Sequence, residues 1–139
     1  MNDTSSLQRR LIIDRSPEPV RALRGMLASF LRDRSVPEEV VRAVVLAFGE
    51  ALDNAVEHGT TGRGELRVWV RYTPRFVCVS LLDPGSDRVP LAIGHAPSSD
   101  SERGRGFQLM NKLMDEVRVR SYPSGGTRVS MLRRFERQA

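Results

Sequence analysis

The chain has 139 residues, of which 40% are hydrophobic and 28% are charged, and it carries a formal net charge of +5 at pH 7. This length and composition predict one compact domain with its own core and exclude a chain that is disordered throughout. No apolar run approaches the roughly 20 residues that a membrane-spanning helix requires, and the first residues do not resemble a signal peptide, so a cytoplasmic protein without a membrane segment is expected.

The positive charge is almost entirely arginine, because Lys112 is the only lysine. The arginines are spread along the sequence and no aromatic-rich strand pattern accompanies them, so direct binding of nucleic acid is not predicted. Arginine also suits acidic protein partners and phosphates, because its planar guanidinium matches both. The single cysteine, Cys78, lies in an alternating apolar run and is interpreted as a strand residue in a reducing compartment.

The N-terminal part of the sequence predicts a strand and a long helix. Residues 1–6 are polar and are expected to fray, and Arg9–Arg15 contains the apolar stretch of a first strand. Ser16 followed by Pro17 is typical of a helix start, with serine as the N-cap and proline in the first turn. Apolar residues then recur at helical spacing to about residue 34.

A second helix is predicted from about Pro37 to Glu57. Ser35 and Glu38 have the spacing of a capping box, in which each side chain bonds the backbone N–H of the other residue. Gly59 is interpreted as the stop of this helix, because glycine readily adopts the left-handed conformation found just past helix ends.

The rest of the sequence predicts two hairpins that are separated by a loop and a third helix. The loop, residues 84–104, is rich in Pro, Gly, Ser and Asp and is long for a compact domain, so a functional role is expected. The remaining elements are a hairpin of strands 66–72 and 76–82, a helix over 104–115, and a closing hairpin of strands 117–122 and 127–134. This order predicts an α+β fold, a two-layer α/β sandwich in which helices cover one face of a mostly antiparallel sheet.

The second predicted helix carries three polar residues at positions four apart, namely Glu50, Asn54 and His58. Side chains at this spacing lie along one face of a helix, and the surrounding positions are apolar, so this face is expected to be half buried. Polar groups at such a margin are costly unless something satisfies them, and a hydrated metal ion with phosphates would do so. An isolated Glu/Asn pair is also compatible with a solvated helix face.

Three further segments combine glycine with polar residues: Asp83-Pro84-Gly85 after a strand, Gly104-Arg105-Gly106 before a helix, and Gly125-Gly126-Thr127 before the last strand. Each is common on its own, as a turn, a loop before a helix, or the start of a strand. The Gly-x-x-x-x-Gly-Lys-Ser/Thr motif of a P-loop is absent from the sequence, as are zinc-ligand spacings and a nucleophile elbow.

Taken together, the four segments resemble the GHKL (histidine-kinase-like) ATP-binding superfamily, and within it the small anti-sigma-factor serine/threonine kinases of the RsbW and SpoIIAB type. The resemblance extends from the first strand to about residue 134. It implies a single histidine-kinase-like ATPase domain over residues 1–139, with the Bergerat ATP-binding fold and with residues 86–103 as the ATP lid. It also implies ATP and Mg²⁺ as cofactors.

The resemblance gives each motif residue a role. Glu50 is expected to be the general base that takes a proton from the attacking hydroxyl. Asn54 is expected to supply an amide oxygen to Mg²⁺, which prefers oxygen ligands and keeps several waters. Asp83 would accept a hydrogen bond from the exocyclic amine of adenine, and Gly85 would let the backbone approach the ring closely.

The remaining motif residues are placed by the resemblance mainly on the phosphate side. Gly104, Arg105 and Gly106 match the second glycine box, where amides at a helix start bind phosphate. Arg105 would add a charge-assisted contact to phosphate or bind a protein partner instead. Thr127 would contact adenine-side water or phosphate. His58 would hold the phosphate-side loop or simply end its helix, where a cation suits the dipole.

Asp87 stands where the superfamily pattern has a second glycine. The sequence leaves three alternatives for the function. The first is a serine/threonine kinase and anti-sigma factor that phosphorylates a STAS-type anti-sigma-factor antagonist and sequesters a sigma factor. The second, which Asp87 favours, is a partner-capture module with weak or no kinase activity. The third is a kinase of STAS domains that binds no sigma factor. Relatives of this type often dimerise, so a homodimer is an assembly to test.

Overall fold

The structure is a computed structural model that describes residues 6–58, 64–84, 101–123 and 126–136. These residues form five strands and three helices. In chain order the elements are β1 (Leu7–Asp14), α1 (Pro17–Asp33), α2 (Glu38–His58), β2 (Glu65–Tyr72), β3 (Phe76–Asp83), α3 (Ser101–Leu113), β4 (Glu116–Ser121) and β5 (Thr127–Arg134).

All five strands belong to one antiparallel sheet in the order β1-β2-β3-β5-β4. β3 is the central strand, and its Val79 pairs with Val70 of β2 and with Met131 of β5. All three of these side chains are buried, because alternate residues of each strand face the helices. A tight turn joins β2 to β3, in which the Thr73 N–H donates to the Phe76 carbonyl at 2.9 Å.

The three helices cover one face of the sheet. α2 lies between α1 and α3 and packs on β3 and β5. The face of α2 that contacts the sheet and the other helices is apolar and almost fully buried, and its members include Val44, Ala47, Phe48, Ala51 and Leu52. The predicted α+β fold, with helices on one face of an antiparallel sheet, is therefore confirmed. Among the described residues, none of the helices is both long and apolar enough to cross a membrane.

The connection between α1 and α2 differs from the predicted capping box. The Ser35 N–H donates to the Arg32 carbonyl at 2.9 Å and the Val36 N–H donates to the Leu31 carbonyl at 3.2 Å, which is the Schellman pattern of a helix end. Ser35 has a φ of 58° and so terminates α1 instead of capping α2. Glu38 accepts two hydrogen bonds from the Arg32 guanidinium, at 2.7 and 3.1 Å, and the pair holds the pKa of this carboxyl below its usual value.

The start of α3 also differs from the prediction. The helix begins at Ser101, three residues before Gly104, and it ends at Leu113. Glycine costs about 1 kcal/mol relative to alanine inside a helix, which is why the sequence favoured a boundary at the glycines. The predicted helix start at Gly104 is therefore wrong, and the phosphate-binding role of Gly104, Arg105 and Gly106 stays a prediction.

Candidate functional site

α2 holds Glu50 and Asn54 at the edge of its buried face. Ala51 and Leu52 beside them are 3% and 0% exposed, and this burial fixes the rotation of the helix about its axis. Glu50 and Asn54 are both half-buried, whereas Asp53 is exposed. The spacing of four residues therefore brings one carboxylate and one amide to the margin of the core, where the sequence predicted them.

Gly106 of α3 lies directly against these two side chains. A Cβ atom on Gly106 would stand 3.1 Å from Oε2 of Glu50 and 3.8 Å from Nδ2 of Asn54. Glycine therefore leaves open a space that any other residue would fill. The first and third predicted segments meet at this point, although they are far apart in the sequence. Arg105 is exposed beside the junction, and its two predicted roles, phosphate or partner binding, stay predictions.

The second and fourth predicted segments meet at the end of the β3–β5 ladder. Asp83 is paired in register with Thr127, which is half-buried. A Cβ atom on Gly126 would stand 3.0 Å from the carbonyl oxygen of Asp83 and 3.2 Å from that of Pro84. Both are backbone atoms that cannot move aside cheaply, so the close approach of the two segments requires glycine at position 126.

Arg15, a residue that the motifs did not single out, forms an ion pair with Asp83. The Arg15 side chain is 3% exposed and that of Asp83 is 22% exposed. The backbone N–H of Arg15 donates to the carbonyl of Gly64 at 3.0 Å, and Gly64 has a φ of 119°, a conformation that favours glycine. Arg15 thus links the ends of β1 and β3 to the residue before β2. The only sequence signal is its position between a strand and a helix start, which many arginines share.

Arg24 of α1 binds the stretch of α2 that surrounds Glu50. Its guanidinium donates to the Gly49 carbonyl at 2.9 Å and forms an ion pair with Asp53. A Cβ atom on Gly49 would stand 2.9 Å from Nε of Arg24, so glycine provides the space that the guanidinium occupies. Because Gly49 and Asp53 flank Glu50 in the helix, this contact helps to fix where the Glu50 carboxylate lies. No local pattern in the sequence distinguishes Arg24 from the other arginines.

Several predictions fall on parts of the chain that the structure does not describe. Gly85 and residues 86–100 of the predicted lid, Asp87 among them, lie outside the described residues, as does Gly59, whereas residues 101–103 belong to α3. His58 is the last residue of α2, but its side chain is not among those described. The roles assigned to these residues stay predictions.

The donor groups at the α2–α3 junction fit a Mg²⁺ ion better than they fit a metal ion that protein ligands alone would hold. Among the described residues, no three His, Cys, Asp or Glu side chains are grouped so that they could hold a metal ion. Mg²⁺ commonly takes one or two protein oxygens and completes its shell with water and phosphate oxygens. Asn54 can supply one of these, because rotating its amide exchanges Nδ2 for Oδ1. The residues present therefore fit a magnesium ion that is held mainly by phosphates.

Comparison with known families gives one match that spans most of the chain. The model of the histidine kinase-like ATPase domain matches residues 13–133. The matched range includes Arg15, the junction of Glu50 and Asn54 with Gly106, and the corner formed by Asp83 and Gly126.

Three similar proteins, two anti-sigma F factors and one serine-protein kinase, are 29–33% identical in sequence to this chain. An anti-sigma F factor of Pasteuria penetrans is 33% identical over 102 residues, which are 73% of this chain and 65% of that protein, so the chain spans just under two thirds of it. An anti-sigma F factor of Clostridium acetobutylicum is 29% identical over 118 residues, 81% of this chain and 82% of that protein. The serine-protein kinase RsbW of Bacillus pumilus is 29% identical over an alignment of 151 positions, gaps included, which covers 99% of this chain and 91% of that protein.

A solved structure has the same fold. The crystal structure of the RsbU and RsbW domains of a Mycobacterium tuberculosis protein matches with a TM-score of 0.71 and 22% identity, covering 96% of this chain and 33% of that one. At this identity the likeness concerns the fold, and it agrees with the layer of three helices on a five-stranded sheet.

Proposed function

The chain belongs to the histidine kinase-like ATPase domain family, and from this we propose that it binds ATP with Mg²⁺ and transfers the γ-phosphate to a serine or threonine of a partner protein. The predicted resemblance to the superfamily is confirmed by the family match and by relatives named anti-sigma F factor and RsbW. The family implies ATP binding. We propose in addition the binding of Mg²⁺, the transfer of phosphate and the identity of the partner proteins.

The observation that carries the proposal is the meeting of Glu50 and Asn54 with Gly106. Glu50 would accept the proton of the partner's hydroxyl as its oxygen attacks phosphorus. Asn54 would hold Mg²⁺ through its amide oxygen. Gly106 keeps the space beside both groups clear, since a Cβ there would lie 3.1 Å from Oε2 of Glu50. When bound, the nucleotide would supply the phosphoryl group and the metal ion would neutralise its charge.

The corner at the end of β3 would bind the base. Asp83 would accept a hydrogen bond from the exocyclic amine of adenine, and guanine lacks an amine at that position. The ion pair with Arg15 restrains the Asp83 carboxylate, so Arg15 acts on the base through Asp83. Thr127, which is opposite Asp83 in the ladder, would contact water or phosphate beside the base.

We propose a STAS-type anti-sigma-factor antagonist as the phosphate acceptor and a sigma factor as the sequestered partner. The support is that two of the similar proteins are anti-sigma F factors and one is a serine-protein kinase. A homodimer is a further proposed assembly. Affinity capture of the chain from its native cell, followed by mapping of phosphorylated residues on what is captured, tests both partners together.

Glu50→Gln tests the proposed base. Transfer of radiolabelled phosphate from ATP to a STAS protein of the same genome should be lost, while ATP should still raise the melting temperature, because the amide keeps the shape of the side chain. Glu39→Gln is the matched control, since Glu39 is an exposed glutamate on the same helix. It should retain both transfer and the ATP-dependent shift. Transfer that is unchanged in Glu50→Gln would show that another group takes the proton.

A partner-capture module with weak or no kinase activity is the second candidate, and Asp87, which stands where the superfamily pattern has a glycine, favours it. Thermal melting with and without MgATP separates the two candidates, because a ligand that binds only the folded state raises its stability by mass action. No shift at millimolar MgATP would support the capture module, and a shift that Asp83→Asn removes would support the kinase.

A further inference from the structure

The face of the sheet that the helices leave uncovered is strongly basic. Alternation along the paired strands places seven arginines on this face against three carboxylates, Asp14, Glu65 and Glu116. We call this surface the open sheet face. Trp69 of β2 lies on it. Seven arginines that are scattered through the sequence thus lie together on one face of the sheet.

Most of these arginines form no ion pair with an acidic residue in the part of the chain that the structure describes. Arg118 and Arg134 lie 3.5 and 3.1 Å from the Glu116 carboxylate. The other five form no ion pair within the described part of the chain, and they are Arg10, Arg67, Arg71, Arg120 and Arg128. The open sheet face therefore carries a positive charge that the ion pairs of the described residues do not neutralise.

Aromatic rings hold several of the unpaired guanidinium groups in place. The Cζ atoms of Arg10 and Arg128 lie 5.5 and 5.2 Å from the centre of the Trp69 ring. The Cζ atom of Arg71 lies 5.7 Å from the centre of the Phe76 ring. These distances are within the range of cation–π attraction. A ligand would therefore meet donors that are already ordered, which lowers the entropic cost of binding.

Two of the unpaired arginines stand next to each other in the sheet. Arg120 of β4 and Arg128 of β5 are directly opposite in register, and both are exposed. Like charges at opposite positions destabilise a sheet. An anionic group bound between the two guanidinium groups would remove this repulsion, so the pair favours an acidic ligand.

We propose that the open sheet face docks an acidic segment of a protein partner, whose carboxylates pair with Arg71, Arg120, Arg128 and their neighbours. The arginine fork binds carboxylates with two parallel hydrogen bonds. Ile12, which lies on the same face and is 52% exposed, adds an apolar contact for a segment that mixes acidic and apolar residues. This docking requires neither ATP nor Glu50, so it is independent of the proposed kinase reaction.

Two other ligands fit this surface less well. Single-stranded nucleic acid binds by stacking its bases on free aromatic rings, but two guanidinium groups already lie against Trp69. A second copy of the chain would bring one basic face against another, and like charges across an interface are strongly unfavourable. An acidic protein segment has neither difficulty.

The chain provides two built-in probes of this face. Trp69 is its only tryptophan and Cys78 its only cysteine, and the charges of Arg128 and Arg71 act on the Cys78 thiol. A glutamate-rich peptide with interspersed leucines should change the Trp69 fluorescence in a saturable way and should slow alkylation of Cys78. The Glu50→Gln variant should bind this peptide like the wild type.

Charge reversal tests the location. The double variant Arg71→Glu/Arg120→Glu leaves the Trp69 contacts intact and should raise the peptide Kd about tenfold or more. The matched control Arg21→Glu/Arg42→Glu reverses two exposed arginines on the helices and should change the Kd less than about twofold. Circular dichroism verifies the fold of both variants.

Three results would overturn the proposal. Equal loss of affinity in the helix control would show attraction by net charge alone. A single-stranded oligonucleotide that binds more tightly than the peptide and displaces it would assign the face to nucleic acid. Sedimentation showing a dimer that Arg71→Glu/Arg120→Glu dissociates, with Trp69 fluorescence following the dimer, would assign the face to a second copy. If a variant does not fold, the test is whether the peptide protects Cys78 of the wild-type chain from alkylation. Slower alkylation supports the proposal, and unchanged alkylation contradicts it.

Discussion

The carboxylate of Asp83 is ion-paired with Arg15, whose side chain is 3% exposed and which lies 68 residues earlier in the chain. Removing one member of such a pair leaves the other charge poorly hydrated and without this favourable interaction. Arg15→Met should therefore lower the free energy of unfolding by about 3 kcal/mol. The measurement is urea denaturation followed by circular dichroism.

A double-mutant cycle separates the ion pair from other losses. Asp83→Asn should also destabilise the chain, and the double variant Arg15→Met/Asp83→Asn should be clearly more stable than the sum of the single effects predicts. Strict additivity would mean that the two side chains contribute independently, and that Arg15 does not position Asp83.

Gly106→Ala should impair phosphate transfer without unfolding the protein. The added methyl would stand 3.1 Å from Oε2 of Glu50, the end of a flexible side chain that can move away from it. The helix would gain up to about 1 kcal/mol from the better helix former, which offsets part of the crowding. The displaced carboxylate should lower transfer to a STAS protein at least about tenfold, since misplacing a catalytic group by 1 Å can cost about a hundredfold.

Gly25→Ala is the matched control for that change. Gly25 lies in α1, and a Cβ atom there would have nothing within 4 Å. This variant should be more stable than the wild type by about 0.5–1 kcal/mol and should transfer phosphate normally. If Gly106→Ala transfers as fast as Gly25→Ala, the open space beside Glu50 is not needed.

Ser35→Gly should stabilise the chain. Ser35 has a φ of 58°, where a side chain costs about 1–2 kcal/mol that glycine avoids. Glycine loses more entropy on folding, so a net gain of about 0.5–1 kcal/mol is expected. Ser29→Gly, at an exposed position inside α1, should instead destabilise the protein. Thermal denaturation of the two variants should give shifts of opposite sign, and a loss of stability in both would contradict the helix-end role of Ser35.

The Cys78 thiol should react slowly at neutral pH. Burial raises the pKa of this thiol above its usual value, against the opposing effects of Ser80, Arg128 and Arg71. The folded state therefore disfavours the thiolate. Because the pKa of the thiol is higher in the folded state than in the unfolded state, its contribution to stability is fully present below the unfolded-state pKa and is lost as pH rises through the folded-state pKa. Alkylation by iodoacetamide should increase with pH along a curve that lies at higher pH than in urea-unfolded protein. Coincident curves would contradict the shift.

The sequence predicted the strands and helices well where the periodicity was strong. α2 shows this best: its apolar positions repeat over many turns, and the observed Glu38–His58 differs from the prediction by one residue at each end. The hairpin strands followed from their alternation, because one face of the sheet is buried and the other is open. The pairing of Glu50 with Gly106, and of Asp83 with Gly126, agrees with the grouping of the four motifs.

Most of the missed features depend on contacts between distant segments, and one depends on an ambiguous local pattern. A left-handed Ser35 cannot be recognised from a sequence in which serine followed by glutamate is also a capping box. The position of Gly106 inside α3 follows from its contact with α2, which no local pattern reveals. Arg15 and Arg24 look like the other arginines until the fold brings Asp83 and Asp53 to them. The open sheet face is likewise visible only once the strand order is known.

The position of β5 in the sheet has a consequence for how the protein acquires its nucleotide site. β5 follows every other described element in the chain, yet it pairs with β3 on one side and β4 on the other. Until it inserts, the central strand presents an unpaired edge that neighbouring chains can join, and the corner of Asp83 and Gly126 does not exist. For the base-binding role that we propose for this corner, a nascent chain emerging from the ribosome could not bind the base until this strand is free to pair, and nucleotide binding would then mark the completion of folding.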